Sequence, residues 1–426
     1  MAWTEVFRFT SAVPRSRSKA GLRGEDGASW LTGDTAPSML QGKMGDFYVR
    51  SNGDFFQKIV PYFGHPPTWV KMGSLKGPPG ERGERGKDGA LGPMAAGSSS
   101  SSSSSSSLSG AVPHEPGGRL TLESGVAAST TDQTAKANVY YTPYKGDLVP
   151  IYGGSTWTEH TFAELTLALD SDSGHTGYHQ SGKNFDLFVF NDSGTIRLGT
   201  GPAWTNAITR ADAVSLKNGI TTNTSSIVLR FGSASGNTVT VGANQATNVG
   251  MMQTTANGQV EDSGARGFAI ACKRFLWNRY NRVRRRMVVV EEDAGSGWVV
   301  SSTTDWEAWH GSAGLRAEFV QGENDEPVHL YFIGWATGGG TGTNVNIGID
   351  LDGAIANDAD ISVPFAPTAA LATSIFACHS IYDNFPGIGY HYLQLVQKCA
   401  DNVSCKYYGN ASIAGTQAGA KGWVMG

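Results

Sequence analysis

Gly77-Pro-Pro-Gly80-Glu-Arg-Gly83-Glu-Arg-Gly86-Lys-Asp-Gly89-Ala-Leu-Gly92-Pro-Met94 decides the architecture of this chain. Gly77, Gly80, Gly83, Gly86, Gly89 and Gly92 stand three residues apart without interruption. A flexible linker needs glycine but not glycine at every third place. Strict period three is what a collagen-type triple helix demands, because only glycine fits where three chains meet on the axis. The segment therefore predicts three parallel copies. Glu81, Arg82, Glu84, Arg85, Lys87 and Asp88 balance in sign and can pair between neighbouring chains, each exposed pair contributing about 0–1 kcal/mol. At roughly 3 Å per residue the rod is about 55 Å long. A rod so short and so poor in imino acids needs trimeric domains on both sides to clamp it.

Outward from the rod the composition changes. Ten serines, Ser98 to Ser107, follow Gly97, and such a tract has nothing with which to bury a core. Upstream, Gly21, Gly24 and Gly27 repeat the period briefly. Between them and the rod, the alternating stretch around Ser51-Asn52-Gly53-Asp54 predicts a small β module with an Asn-Gly hairpin, its core closed by Trp69 and Val70. The chain divides into an N-terminal segment (1–20), a β module (21–75), the triplet rod (76–94), a serine-rich tether (95–118), a β-rich middle domain (119–286) and a C-terminal β-sandwich head of jelly-roll type (287–426).

The whole composition agrees with a mainly β, elongated protein. Of 426 residues, 56 are glycine and only 16% are charged, a mixture that favours short strands joined by tight turns. A net charge of −4 offers no basic field for nucleic acid or anionic membrane, and no apolar run is long enough to span a bilayer. Residues 1–19 lack the apolar centre of a secretory signal, so synthesis in a cytoplasm is expected. Strands are predicted at Met287–Glu292, Gly314–Gln321, Pro327–Thr337, Thr343–Gly353, Thr373–Tyr382 and Gly389–Lys398. In the middle domain Asn191–Gly194 marks a hairpin, and the helical spacing of Ala213, Leu216 and Ile220 predicts one short helix over Thr209–Ile220.

Candidate chemistry is sparse. The segment Arg279-Tyr280-Asn281-Arg282-Val283-Arg284-Arg285-Arg286 has the look of an anion site, but it runs into an apolar strand and reads as a strand entry with exposed, locally paired arginines. His175 and His179 sit among Gly and Ser and read as an exposed loop rather than a metal pair. Asp350, Asp352, Asp358 and Asp360 lack the closing Glu of an EF-hand, and Asp350 and Asp352 read as the wet face of a strand. No metal or cofactor is expected. Cys272, Cys378, Cys399 and Cys405 fit no zinc pattern; reduced thiols suit a cytoplasm, and a Cys399–Cys405 bridge closing a turn after release from the cell is the alternative. No G-x-S-x-G, Walker A or H-E-x-x-H sequence is present, and no solenoid repeat of the kind that carries glycan-cleaving carboxylates, so no catalytic residue is assigned. Trp298, Trp306, Trp309 and Trp335 are candidate receptor contacts, with burial in the core as the rival reading for each.

Several stretches resemble fibre proteins of tailed bacteriophages. "GASWLTGDTAPSMLQGKMGDFYVRSNGDFFQKI" with "TWVKMGSLKGPPG" is similar to the module that interrupts collagen-like segments in prophage tail-fibre proteins, its landmarks here being Trp30, Gly33, Gly45 to Tyr48, Gly53-Asp54, Trp69 and Gly73. "RLTLESG", "VYYTPYKGDLVPIY", "NFDLFVF", "GPAWTN", "TRADAVSLKNGI" and "RFLWNRYNRVRR" resemble, in that order, a domain of phage virion proteins. The stretch from Gly389 to Gly426 resembles the end of C-terminal fibre heads. The resemblance implies a homotrimeric virion fibre assembled in the bacterial host's cytoplasm. Its N-terminus would attach to other virion proteins, and its C-terminal heads would attach to a bacterial surface glycan or protein. A tail fibre is favoured over a head or collar fibre. The rivals are a collagen-like bacterial surface protein outside phages and a glycan depolymerase.

Overall fold

The computed structural model describes residues 30–38, 41, 43, 46–51, 54–59, 68–74, 107–108, 113–264, 270–291, 297–301, 305–338, 344–353, 355–364, 374–400, 404–409 and 417–426. The triplet rod, the N-terminal segment and residues 95–106 and 109–112 of the serine tether lie outside the described residues. The chain forms two compact units, one within residues 1–99 and one within 100–426. Both are β-structures, and the one helical element among the described residues is a single 3-10 turn, Trp309–Gly311.

The first unit is a four-stranded sheet of Trp30–Gly33, Phe47–Arg50, Asp54–Ile59 and Thr68–Ser74, hydrogen-bonded in that order. Phe47–Arg50 and Asp54–Ile59 pair antiparallel, Phe47 facing Gln57, as the hairpin reading requires. Tyr48 is buried at its centre, with Phe56 and Trp69 edge-on at 6.5 and 5.8 Å.

In the second unit, sequence alternation becomes core directly. Along Val328–Thr337, Val328, Leu330 and Phe332 are buried while His329, Tyr331 and Ile333 are half-buried, because successive strand residues point to opposite faces. This strand belongs to a seven-stranded sheet in which Arg284–Glu291, Ala418–Met425, Val328–Thr337, Phe376–Asn384 and Ile361–Val363 follow one another. The strand nearest the end of the sequence therefore lies inside the sheet, flanked by strands from far upstream. Across one shared core, Met287, Phe332, Cys378 and Tyr407 of this sheet meet Phe319, Ile347 and Leu393 of a larger sheet.

That larger sheet is built around Ala246–Ala256, buried over its first nine residues and paired with Asn184–Asp192, Leu276–Asn278 and Gln259–Ser263. A second core, with Leu187, Met251, Trp204 and Trp277, packs it against two three-stranded sheets. Gly250 sits at a register shift in the pairing with Asn184–Asp192. Its φ is 156°, and a Cβ there would lie 2.1 Å from the Trp277 carbonyl oxygen, so no other residue fits. Position 286 falls inside the strand Arg284–Glu291. Asp262 joins its surroundings: its carboxylate holds Arg274 at 2.9 Å and also the Arg285 guanidinium, all three being buried.

Two expectations change. Residues 209–220 form no helix: Val214–Lys217 and Ile220–Asn223 make a hairpin about Asn218 and Gly219, whose φ values are 52° and 85°. Positive φ at both central residues is the hairpin turn that Asn-Gly prefers, and it overrides the apolar spacing. The strands Asn138–Pro143 and Leu148–Tyr152 lie on either side of residues 144–147 and enter different sheets. Asp350 is not on a wet face, since the loop that follows folds back over it and Ala356 donates its N–H to Asp350 Oδ1 at 3.0 Å.

Candidate functional site

A polar cleft of about 520 Å³ opens in the second unit, large enough for one or two sugar-sized rings. Five strands supply its walls. Asn184 begins Asn184–Asp192, opposite Gln253 of Ala246–Ala256. Cys272–Arg274 runs parallel to Arg316–Gln321, which sets Lys273 beside Glu318. Tyr390 comes from Gly389–Ala400 and closes the far side. Lys183 is pinned at the rim by reciprocal bonds between its backbone and Thr254, whose hydroxyl accepts the Lys183 N–H at 3.2 Å.

The groups in the cleft divide into occupied and open ones. Glu318 is occupied on both oxygens: Arg316 Nε donates to one at 2.9 Å and the Tyr390 hydroxyl to the other at 3.0 Å. Burial, with the Glu318 carboxylate beside it, raises the Tyr390 pKa above its ordinary value and keeps that proton in place. Arg316 also lies 4.5 Å from the Tyr392 ring centre, which fixes its plane. Lys273 contacts Glu261 at 3.3 Å, while the Lys183 ammonium has no ion pair among the described residues. Asn184 donates from Nδ2 to the Ala207 carbonyl at 2.7 Å, which orients the amide, and its buried Oδ1 has no partner among the described residues. Phe275 stands edge-on to Tyr390 at 5.8 Å and gives the cleft its apolar patch.

The residues singled out from sequence lie elsewhere. Trp309 is a correction: it is fully buried, with Trp298 and Phe332 edge-on at 5.0 Å each, so it serves the core and no receptor. Trp298 is half-buried, stacked on His310 at 4.1 Å and bonded to Gln397. Trp306 is half-buried, and Trp335 is half-buried with its indole N–H on the Gln417 carbonyl. His179 is not on an exposed loop. It is buried, the Asp170 N–H donates to its Nδ1 at 2.8 Å, and its Nε2 meets the Thr200 hydroxyl at 2.9 Å. Of the arginines at 279–286, Arg279, Arg282 and Arg285 are ion-paired, and Arg279 and Arg285 are buried rather than exposed; Arg284 is exposed and lies over the Trp423 ring. Arg282 holds Asp325 through both terminal nitrogens, at 2.7 and 2.6 Å.

Cys399 and Cys405 are joined as a disulfide with Cα atoms 5.6 Å apart, where four reduced thiols had been the reading from compartment. Cys272 and Cys378 are free and buried, and burial pushes their thiols up to about 11 and about 12, too high for nucleophilic use near neutrality. Among the described residues no group of three or more His, Cys, Asp or Glu is placed to hold a metal ion, and no helix is long and apolar enough to cross a membrane.

Sequence reasoning missed the cleft. Its parts come from residues 182 to 390, and only the parallel pairing of Cys272–Arg274 with Arg316–Gln321 brings the cations together. Unpaired Lys183 next to Asn184 at a strand entry was the one local signal. No protein-family model matches the chain, and no curated protein matches it in sequence.

Proposed function

We propose that this chain is one subunit of a homotrimeric, non-enzymatic fibre of a tailed bacteriophage. On this reading its N-terminal segment fixes to the virion and its jelly-roll β head attaches to the bacterial surface. The observation that carries the proposal is the glycine period from Gly77 to Gly92, which makes sense only for three chains wound together. The serine tether beyond it gives each head reach and freedom. Three linked heads raise the local concentration of weak sites, so that avidity does the work of one tight pocket. The cleft at Lys183, Asn184, Arg316 and Tyr390 supports a receptor role: it is open, polar and partly aromatic, the make-up of a surface for saccharides. A tail position is favoured over the head or collar.

Sedimentation of the purified full-length protein tests the trimer. Three chains of 45.0 kDa give about 135 kDa, and a stable 45.0 kDa species overturns the proposal. Antibody raised against residues 119–426 and imaged on intact particles then distinguishes a tail tip from a capsid or collar. Release of new reducing ends from bacterial capsule or lipopolysaccharide would replace the binding role with a depolymerase.

A further inference from the structure

We infer that the cleft between Lys183, Lys273, Arg316 and Tyr390 binds an anionic saccharide, a sugar bearing a carboxylate or phosphate, rather than a neutral one. This rests on the attachment reading above and narrows it to a ligand class.

The charge census carries the argument. Three cations line the cleft, Lys183, Lys273 and Arg316; Glu261 pairs with Lys273 and Glu318 with Arg316, which leaves the Lys183 charge as the excess. Both oxygens of Glu318 are occupied by Arg316 and Tyr390, so it does not repel an incoming anion as a free carboxylate would. The Glu318–Arg316–Tyr392 arrangement holds the guanidinium still, leaving its terminal nitrogens as fixed donors. Lys183 supplies an ammonium without a competing partner in the fold. A chain with net charge −4 therefore concentrates positive charge at one concavity, which a structural surface has no need to do.

The second part of the argument concerns hydroxyls. Asn184 Oδ1 is a buried acceptor with no donor among the described residues. Because Nδ2 is committed to the Ala207 carbonyl, the amide cannot turn away. A sugar hydroxyl would satisfy Oδ1 after a small shift of the cleft lining that now covers it. The Gln253 amide also lines the cleft, and Tyr390 with Phe275 offers a ring face and edge for the C–H face of a pyranose. An anion at the lysines, a hydroxyl at Asn184 and a ring against Tyr390 together describe a charged sugar. Phosphate alone leaves Asn184 and the aromatics unused, and neutral sugar leaves the cations unused.

The experiment is calorimetric titration of the full-length protein with four probes: tetragalacturonate, a hyaluronan tetrasaccharide, a phosphorylated lipopolysaccharide core oligosaccharide and neutral maltotetraose. At least one acidic probe is expected to bind per head at least about tenfold more tightly than maltotetraose, and raising salt from about 50 to 300 mM is expected to weaken it several-fold. The first two probes report a carboxylate and the third a phosphate. Lys183→Glu should lower acidic-probe affinity at least about tenfold with an unchanged melting temperature, since Lys183 bonds to Thr254 through its backbone alone and its ammonium has no ion pair among the described residues. Inorganic phosphate alone should bind more weakly than the preferred probe. The inference is overturned if no acidic probe binds, if maltotetraose binds as well as the best acid, or if Lys183→Glu binds as the parent does. Those outcomes in a protein that sediments as a trimer leave the fibre reading intact. A monomer that binds acidic sugar at the cleft would instead remove the fibre reading and keep the site.

Discussion

His179 accepts the Asp170 N–H on Nδ1, so its proton sits on Nε2 and is donated to Thr200. Burial, aided by Arg230 close by, lowers its pKa from 6.5 to about 4, although the neighbouring Asp170 carboxylate works the other way. Between these values the unfolded chain binds the proton more readily than the folded one. The stabilisation is complete above about pH 6.5 and falls away as the pH drops towards 4, on the order of 3 kcal/mol in all. Urea midpoints followed by tryptophan fluorescence at pH 7.5 and 5.0 should show the loss, and His179→Gln should flatten it. Asp262 is the counterpart among buried charges. Replacing it by Ala strands Arg274 and Arg285 without their shared carboxylate and should destabilise the second unit by about 3–5 kcal/mol. Neither histidine burial nor this triad was legible in sequence. Gly and Ser around "HTGYH" look like loop, and the burial of His179 comes from Thr200 on a strand of its own, beyond any local pattern.

At the level of strands, the alternating runs were readable because one face must be dry. Val328–Thr337, Asn344–Leu351 and Gly389–Ala400 fall where periodicity put them. The reading failed where two local signals competed. Ala213, Leu216 and Ile220 carry helical spacing, but Leu216 ends 73% exposed while Asn218 and Gly219 adopt the left-handed turn. The turn dipeptide was the stronger signal, since its conformation is closed to most residues whereas apolar spacing arises by chance. Gly250 makes the same point inside a strand. Gly250→Ala forces a methyl against the Trp277 carbonyl and should lower stability by more than about 3 kcal/mol through displacement of Leu276–Asn278. Thermal melting of the variant, with the near-ultraviolet signal of Trp277, reports both effects. The cleft depends on pairing between strands distant in sequence, which is why its cations were scattered through the sequence reading and converge only in the fold.

For the assembled molecule, the expectation is a rod that melts separately from its heads. If the triplets wind as proposed, Gly86→Ala would put a methyl on the crowded axis and should lower the first transition of the full-length protein. On that reading the β heads, joined to the triplets through the serine tract, should hold their melting temperature within about 2 °C. Circular dichroism at a triple-helix wavelength and a β wavelength separates the two. A variant that lowers both transitions together would mean that the heads depend on the rod for their own stability.

The position of Ala418–Met425 between Arg284–Glu291 and Val328–Thr337 has a bearing on how the protein is born. A strand made early must wait with an open edge until the ribosome has delivered a neighbour encoded more than a hundred codons later. At about 5–20 residues per second that interval is on the order of ten seconds. Nascent chains on one messenger are therefore exposed to one another during it. A chain cut short before Ala418 leaves that place in the sheet empty, with the facing edges of Arg284–Glu291 and Val328–Thr337 unpaired there.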